Sequence, residues 1–161
     1  MLKNVTECNK FKNRDISMER HEEYQYLNLL TDIMNEGHNE VGRNGNVKTA
    51  IGSAMHFSLE NEKIPILTTK KTAWKTCLKE LLWFIRGDTS NKRLNDVGVH
   101  IWDANTTREF LDSRGLQHYE EGDVGGLYGF MWRHWGAEYK GCDADYSGQG
   151  IDQLQQVIDT L

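Results

Sequence analysis

No apolar run in the 161 residues approaches the length needed to cross a bilayer, which is about 20 residues for a helix, so no membrane role is expected. The first residues, Met-Leu-Lys-Asn-Val-Thr-Glu-Cys, lack the apolar core of a secretory signal. Cysteine is scarce: Cys8, Cys77 and Cys142 show neither the spacing of a disulfide framework nor that of a zinc site. A reducing, cytoplasmic setting is therefore the default, and no metal is expected. A surplus of basic charge is also missing. The chain has 15 basic and 13 acidic residues up to position 100, then 4 basic and 11 acidic, so its second part carries −7 and its first +2. A broad basic face for nucleic acid is not expected from that balance, and no DNA binding is predicted.

What is present is the makeup of a globular protein, with five tryptophans and a charged fraction of 27%. This length suits one domain and can bury about two thirds of the unfolded surface. Residues 1–20 are polar and mixed in charge without a sustained period, as in a flexible leader or linker. From Glu22, residues Tyr24, Leu27, Leu30, Ile33 and Met34 recur at helical spacing, and Gly37 is the stop. Gly42 to Asn46 has turn chemistry, after which Val47 to Leu59 alternates with β-branched residues and suits one long or bent strand. Glu60 to Lys63 is a further turn.

The only proline, Pro65, opens the element around which the rest is organised: a short strand running into a helix that ends near Arg86. Trp74, Cys77, Leu78, Leu81, Leu82 and Ile85 fall on one helical stripe, which is expected to be buried, with Lys75, Lys79 and Arg86 on the opposite face. Glu80 lies on the flank, one turn from Cys77, Trp83 and Phe84. A carboxylate among aromatic rings is partly desolvated, a setting suited to moving protons, although most helical glutamates are structural.

Gly87-Asp88-Thr89-Ser90 breaks this helix and caps a short one. A second short helix is expected from near Thr106 to Gly115. The indole of Trp102 offers a stacking surface, with the Asn105 amide close by to fix orientation; taken by itself, Trp102 reads more often as core. Phe130, Trp132 and Trp135 read as packing. Cys142 stands beside Asp143 and Asp145, whose charge would raise a thiol's pKa. Ile151, Leu154, Val157, Ile158 and Leu161 form the stripe of a last helix that is still running at the final residue, so a longer protein is expected.

Pro65, Leu67-Thr-Thr-Lys70, Glu80-Leu-Leu-Trp-Phe-Ile-Arg-Gly87 and Ile101-Trp-Asp-Ala-Asn105 stand in one order with Leu127-Tyr-Gly-Phe-Met-Trp-Arg-His-Trp-Gly-Ala-Glu-Tyr139 and Asp145-Tyr-Ser-Gly-Gln-Gly-Ile-Asp-Gln-Leu154. Together they resemble the thymidylate synthases over residues 21–161, the amino-terminal part of that family's domain. The resemblance implies an α+β fold: a twisted mixed sheet with helices packed on one face, incomplete in this chain, the other face serving a homodimer. It implies reductive methylation of dUMP to dTMP with 5,10-methylenetetrahydrofolate as co-substrate. By the same resemblance Glu80 orients water and relays protons, and Tyr128 positions water near the reacting carbon. Arg43 holds the dUMP phosphate, though its loop is shorter than the family's and lacks the second glycine. Lys70 reaches the folate's charged tail, while Ile101, Trp102 and Asn105 line the folate pocket. Gly126 stands where the family carries proline.

The family's nucleophile is a cysteine in a Pro-Cys-His context, which none of the three cysteines here provides. The chain alone is therefore expected to be inactive. Two alternatives remain at this stage: a deoxypyrimidine monophosphate hydroxymethylase of the same fold, and a non-catalytic truncated module for binding or dimerisation.

Overall fold

A computed structural model of the chain describes residues 21–42 and 45–161. They fall into two compact units, one ending at Thr72 and one running from Ala73 to Leu161. The expected leader, residues 1–20, and Arg43 lie outside the described residues.

In the first unit, α1 (Tyr24–Glu36) forms where the periodicity places it, and it ends with the Gly37 N–H donating to the Ile33 carbonyl. Strand β1 (His38–Gly42) follows directly and pairs antiparallel with β2 (Gly45–Thr49), His38 opposite Thr49 and Gly42 opposite Gly45. Lys48 ties this pair to the helix by donating to the Met34 carbonyl at 2.6 Å. The sequence His-Asn-Glu-Val-Gly holds one β-branched residue, which is why β1 was not read from pattern. The strand expected over 47–59 stops at Thr49. Beyond it the backbone bonds to side chains at the start of α1 and just before it instead of to a neighbouring strand: Gln25 accepts the His56 N–H at 2.9 Å and donates to the His56 carbonyl at 2.6 Å. Glu22 accepts the Ser58 N–H at 3.0 Å.

A 3₁₀ turn occupies Glu60–Glu62. Residues 63–73 then form no strand, in contrast to the expectation for the start of the central element. Glu23 takes the place of a strand neighbour. Only 6% exposed, its carboxylate accepts the N–H groups of Thr68 and Thr69 at 2.7 and 2.8 Å and their hydroxyls at 2.6 and 2.7 Å.

The second unit is helical. Its elements are α2 (Trp74–Ile85), α3 (Asn91–Asp96), a 3₁₀ turn at Asp103–Asn105, α4 (Arg108–Ser113), α5 (Tyr128–Arg133) and α6 (Gln153–Thr160). Side-chain caps fix two starts: Thr107 accepts the Phe110 N–H at 3.1 Å and Asp152 accepts the Gln155 N–H at 2.9 Å. The Ser90 side chain makes no such bond to α3; its own N–H donates to Asp88 at 3.0 Å. The core is Trp83, Phe84, Leu94 and Val99, against which Trp102, Val124, Leu127 and Trp132 pack. Each large apolar side chain so buried contributes roughly 1.5–3 kcal/mol.

The face of α2 turned to this core differs from the one the sequence suggested. Trp83 and Phe84 are buried, whereas Trp74, Leu78, Leu81, Leu82 and Ile85 are 38–47% exposed and Cys77 is exposed as well. The covered stripe is Thr76, Glu80, Trp83, Phe84 and Gly87, also at helical spacing. It is covered because α5 packs there. Gly129 lets the two helices meet, since a Cβ at that position would stand 2.8 Å from the Phe84 carbonyl oxygen and 2.9 Å from the Phe84 Cα. Of the aromatic residues read as packing, Phe130 is buried and Trp132 lies on the core, but Trp135 is 49% exposed and takes part through its backbone, paired with Ile151.

Candidate functional site

Glu80 and Trp102 meet. The indole Nε1–H donates to Glu80 Oε1 at 2.9 Å, while the body of the ring packs on the core cluster. Among the described residues no other group bonds to the Glu80 carboxylate, so Oε2 remains an available acceptor beside an aromatic wall. Phe84, one helical turn after Glu80, sets its ring edge against Tyr128 with centroids 5.4 Å apart and planes at 84°. Tyr128 opens α5 and is 54% exposed.

The position of Trp102 is fixed from behind. Its carbonyl accepts the Asn105 N–H at 3.0 Å and the Thr106 hydroxyl at 3.1 Å. The buried Asn91 amide donates to Asp103 at 2.8 Å and to the Thr106 hydroxyl at 3.1 Å. His100 lies 3.1 Å from the other Asp103 oxygen. The Asn91 bond, with further bonds from Asn95 and His100, holds the Asp103 carboxyl below the ordinary carboxylate range. Ile101, at 50% exposure, and the exposed Asn105 flank Trp102 on the open side. Glu80, Tyr128, Ile101, Trp102 and Asn105 thus belong to one unit, with Phe84 linking the first pair to Tyr128.

Sequence reasoning missed the support from Asn91 and the contact of Phe84 with Tyr128. Phe84 was legible as a neighbour of Glu80 at i+4. Nothing in the sequence pattern marks Asn91, because its partners lie 12 and 15 residues away.

Lys70 belongs to the first unit, where its ammonium stands 5.9 Å from the Tyr26 ring centroid. Neither of two clefts of about 370 and 410 Å³ is lined by Glu80 or Trp102; one is lined by Asn91, Asn95, Asp103 and Thr106 and the other by Arg86, Arg93, His134 and Cys142. Glu80 and Trp102 are both partly buried.

Cys142 is not placed as an activated nucleophile. Burial pushes the Cys142 thiol up, and the nearby carboxylates of Asp123 and Asp143 add to the effect. The sequence had named Asp145 beside Asp143, but Asp123 takes that part. Its buried carboxylate accepts the Cys142 N–H at 3.1 Å and the Tyr139 hydroxyl. Burial and that bond drive the Tyr139 phenol far above its usual range. Among the described residues, no group of three or more His, Cys, Asp or Glu side chains could hold a metal ion, and no helix is long and apolar enough to cross a membrane.

Comparisons with known proteins bear on the family. The thymidylate synthase family profile matches residues 24–161. The chain is 52% identical over 141 residues to the thymidylate synthase of Ascaris suum, covering 87% of this chain and 48% of that protein. It is 48% identical over 163 residues to the bifunctional dihydrofolate reductase-thymidylate synthase of Zea mays, covering 97% of this chain and 31% of that protein. Against the probable thymidylate synthase of Schizosaccharomyces pombe it is 50% identical over 142 residues, 87% of this chain and 23% of that protein. The chain spans less than half the length of each of these relatives. A profile that begins at the first residue of α1 and runs through Glu80, Trp102 and Tyr128 to Leu161 places this chain in the thymidylate synthase family.

Proposed function

We propose that this chain supplies the proton-handling and folate-facing part of a thymidylate synthase, which converts dUMP to dTMP with 5,10-methylenetetrahydrofolate giving both carbon and hydride. The observation that carries this reading is the 2.9 Å bond from Trp102 Nε1 to Glu80. It holds a carboxylate at the rim of an aromatic surface, with one oxygen left for water or substrate. Glu80 orients water and relays protons at the uracil carbonyl and at the departing folate amine. Tyr128 positions water from across Phe84. Ile101, Trp102 and Asn105 receive the folate's flat ring system by apolar contact, stacking and an amide hydrogen bond.

In the first unit Lys70 contacts the folate's anionic tail, and Arg43 binds the dUMP phosphate through its planar fork of donors. The remaining step is covalent: a thiolate adds to the pyrimidine ring and makes the neighbouring carbon nucleophilic. The sequence holds no Pro-Cys-His segment, and Cys142 is held as a thiol. That attacker therefore comes from outside these 161 residues. The complete assembly is a cytoplasmic homodimer in which a twisted mixed sheet carries helices on one face.

Tryptophan fluorescence of the purified chain tests the folate face. Tetrahydrofolate is expected to quench part of the emission, and Trp102→Phe is expected to remove that part. Quenching of equal depth in Trp102→Phe would count against it.

A further inference from the structure

The residue at the cap position of α1, Glu23, acts as a template for the backbone that carries Lys70. Residues 63–73 contain no helix or strand, so the N–H groups of Thr68 and Thr69 have no ladder to enter. Both are taken by one carboxylate. Glu23 is 6% exposed and accepts two backbone and two hydroxyl hydrogen bonds, all between 2.6 and 2.8 Å. Charge-assisted bonds of this kind are about twice as strong as neutral ones, and four of them on two consecutive residues fix where residue 70 begins. Lys70 then extends over Tyr26 of the same helix, its ammonium 5.9 Å from the ring centroid. The other bonds made by this stretch are local: Ile66 N–H to the Ile64 carbonyl at 2.8 Å and the Thr72 hydroxyl to the Leu67 carbonyl at 3.4 Å. The first lies outside residues 68–70, and the second spans them with one long bond from a hydroxyl.

We propose that Glu23 is a positioning residue for Lys70. Its carboxylate holds Thr68 and Thr69 so that the Lys70 ammonium meets the carboxylates of the co-substrate's glutamate tail. This inference rests on the reading of Lys70 given above. Glu23 touches no ligand; it acts through the backbone.

The test uses the 161-residue chain, with tetrahydrofolate bearing either one or four γ-linked glutamates as the probe. The wild type is expected to bind the tetraglutamate more tightly, and Lys70→Ala to reduce that gain about three-fold, as one exposed ion pair allows. Glu23→Gln is expected to reduce the gain equally while leaving monoglutamate affinity within about two-fold, the size of a few tenths of a kcal/mol. Amide hydrogen exchange supplies the readout that a general loss of fold would change differently. In Glu23→Gln exchange should quicken at residues 66–70 and stay slow in α1. A tail gain lost in Lys70→Ala but kept in Glu23→Gln would overturn the inference, as would exchange that quickens throughout α1. An unchanged gain in Lys70→Ala, or no gain in the wild type, would remove the Lys70 reading and this inference with it. If Glu23→Gln does not fold, Thr69→Val keeps the carboxylate, removes one bond and is judged by the same two readouts.

Discussion

A single carboxylate does different work depending on what donates to it. Glu80 accepts one indole N–H and keeps an open oxygen, which is the condition for exchanging protons with water or substrate. Glu80→Gln preserves an acceptor for Trp102 and removes the ionisable group, whereas Glu80→Leu leaves the partly buried indole N–H without a partner. The leucine variant should lose about 1–2 kcal/mol of stability and the glutamine variant less than about 1 kcal/mol, the cost of an unmet donor against a weakened bond; urea titrations of both compare the two. Glu23 is the opposite case. Its carboxyl is held down at about 2 by the Thr68 hydroxyl first and by the Thr69 hydroxyl and N–H next. A folded-state pKa below the unfolded value gives stability that is complete above about 4.5 and is lost as pH falls toward 2. The amide resonances of Thr68 and Thr69 should follow that titration, and in Glu23→Gln the acid sensitivity of the first unit should shrink. Tyr139 carries the reverse sign. With its phenol raised by burial and by Asp123, the stability it contributes is present below pH 10 and is lost above it.

At the scale of elements, the contact between α2 and α5 decides what the site looks like. Tyr128, Gly129 and Phe130 are consecutive on α5, and only glycine at the middle position admits the Phe84 backbone. Gly129→Ala inserts a methyl group 2.8 Å from a carbonyl oxygen, and the helices must separate. A loss of about 1–3 kcal/mol is expected, together with loosening of the Phe84–Tyr128 edge contact. Denaturant midpoints measure the first, and near-ultraviolet circular dichroism of the aromatic residues reports the second. α6 is held more lightly: Arg133 pairs with Asp152 at 3.0 Å, both side chains partly buried, and Gln153 donates to the Met131 carbonyl at 2.8 Å at the surface. Arg133→Ala should lower stability by about 1 kcal/mol, since a single ion pair still open to solvent contributes little.

For the whole molecule, the exposed apolar surface is the main physical fact. The stripe from Trp74 to Ile85 on α2 is 38–47% exposed, and Val157, Ile158 and Leu161 at the other end of the unit are exposed by half or more. Contiguous apolar area of this kind promotes association. The chain is expected to bind an apolar dye and to sediment as a concentration-dependent mixture, and replacing Leu78 and Leu82 together by lysine should reduce both. A clean monomer with no dye binding and one cooperative unfolding transition would contradict this.

Periodicity was enough to locate α1, α2, α4 and α6, because each follows a helical repeat or a cap that is local in the chain. Residue type and order were enough to single out Glu80, Trp102 and Tyr128 by resemblance. Which stripe of α2 is covered was not legible, since the apolar stripe and the Glu80–Trp83–Phe84 stripe are both regular and only the close approach at Gly129 chooses between them. β1 and the end of β2 were likewise decided by partners: a strand exists where another backbone accepts its bonds, and beyond Thr49 those bonds go to side chains at the start of α1 and just before it. The sequence by itself determined the family and singled out the candidate site residues. The tertiary structure decided which of those residues touch, because hydrogen bonds and close packing join positions far apart in the chain, which no local pattern encodes.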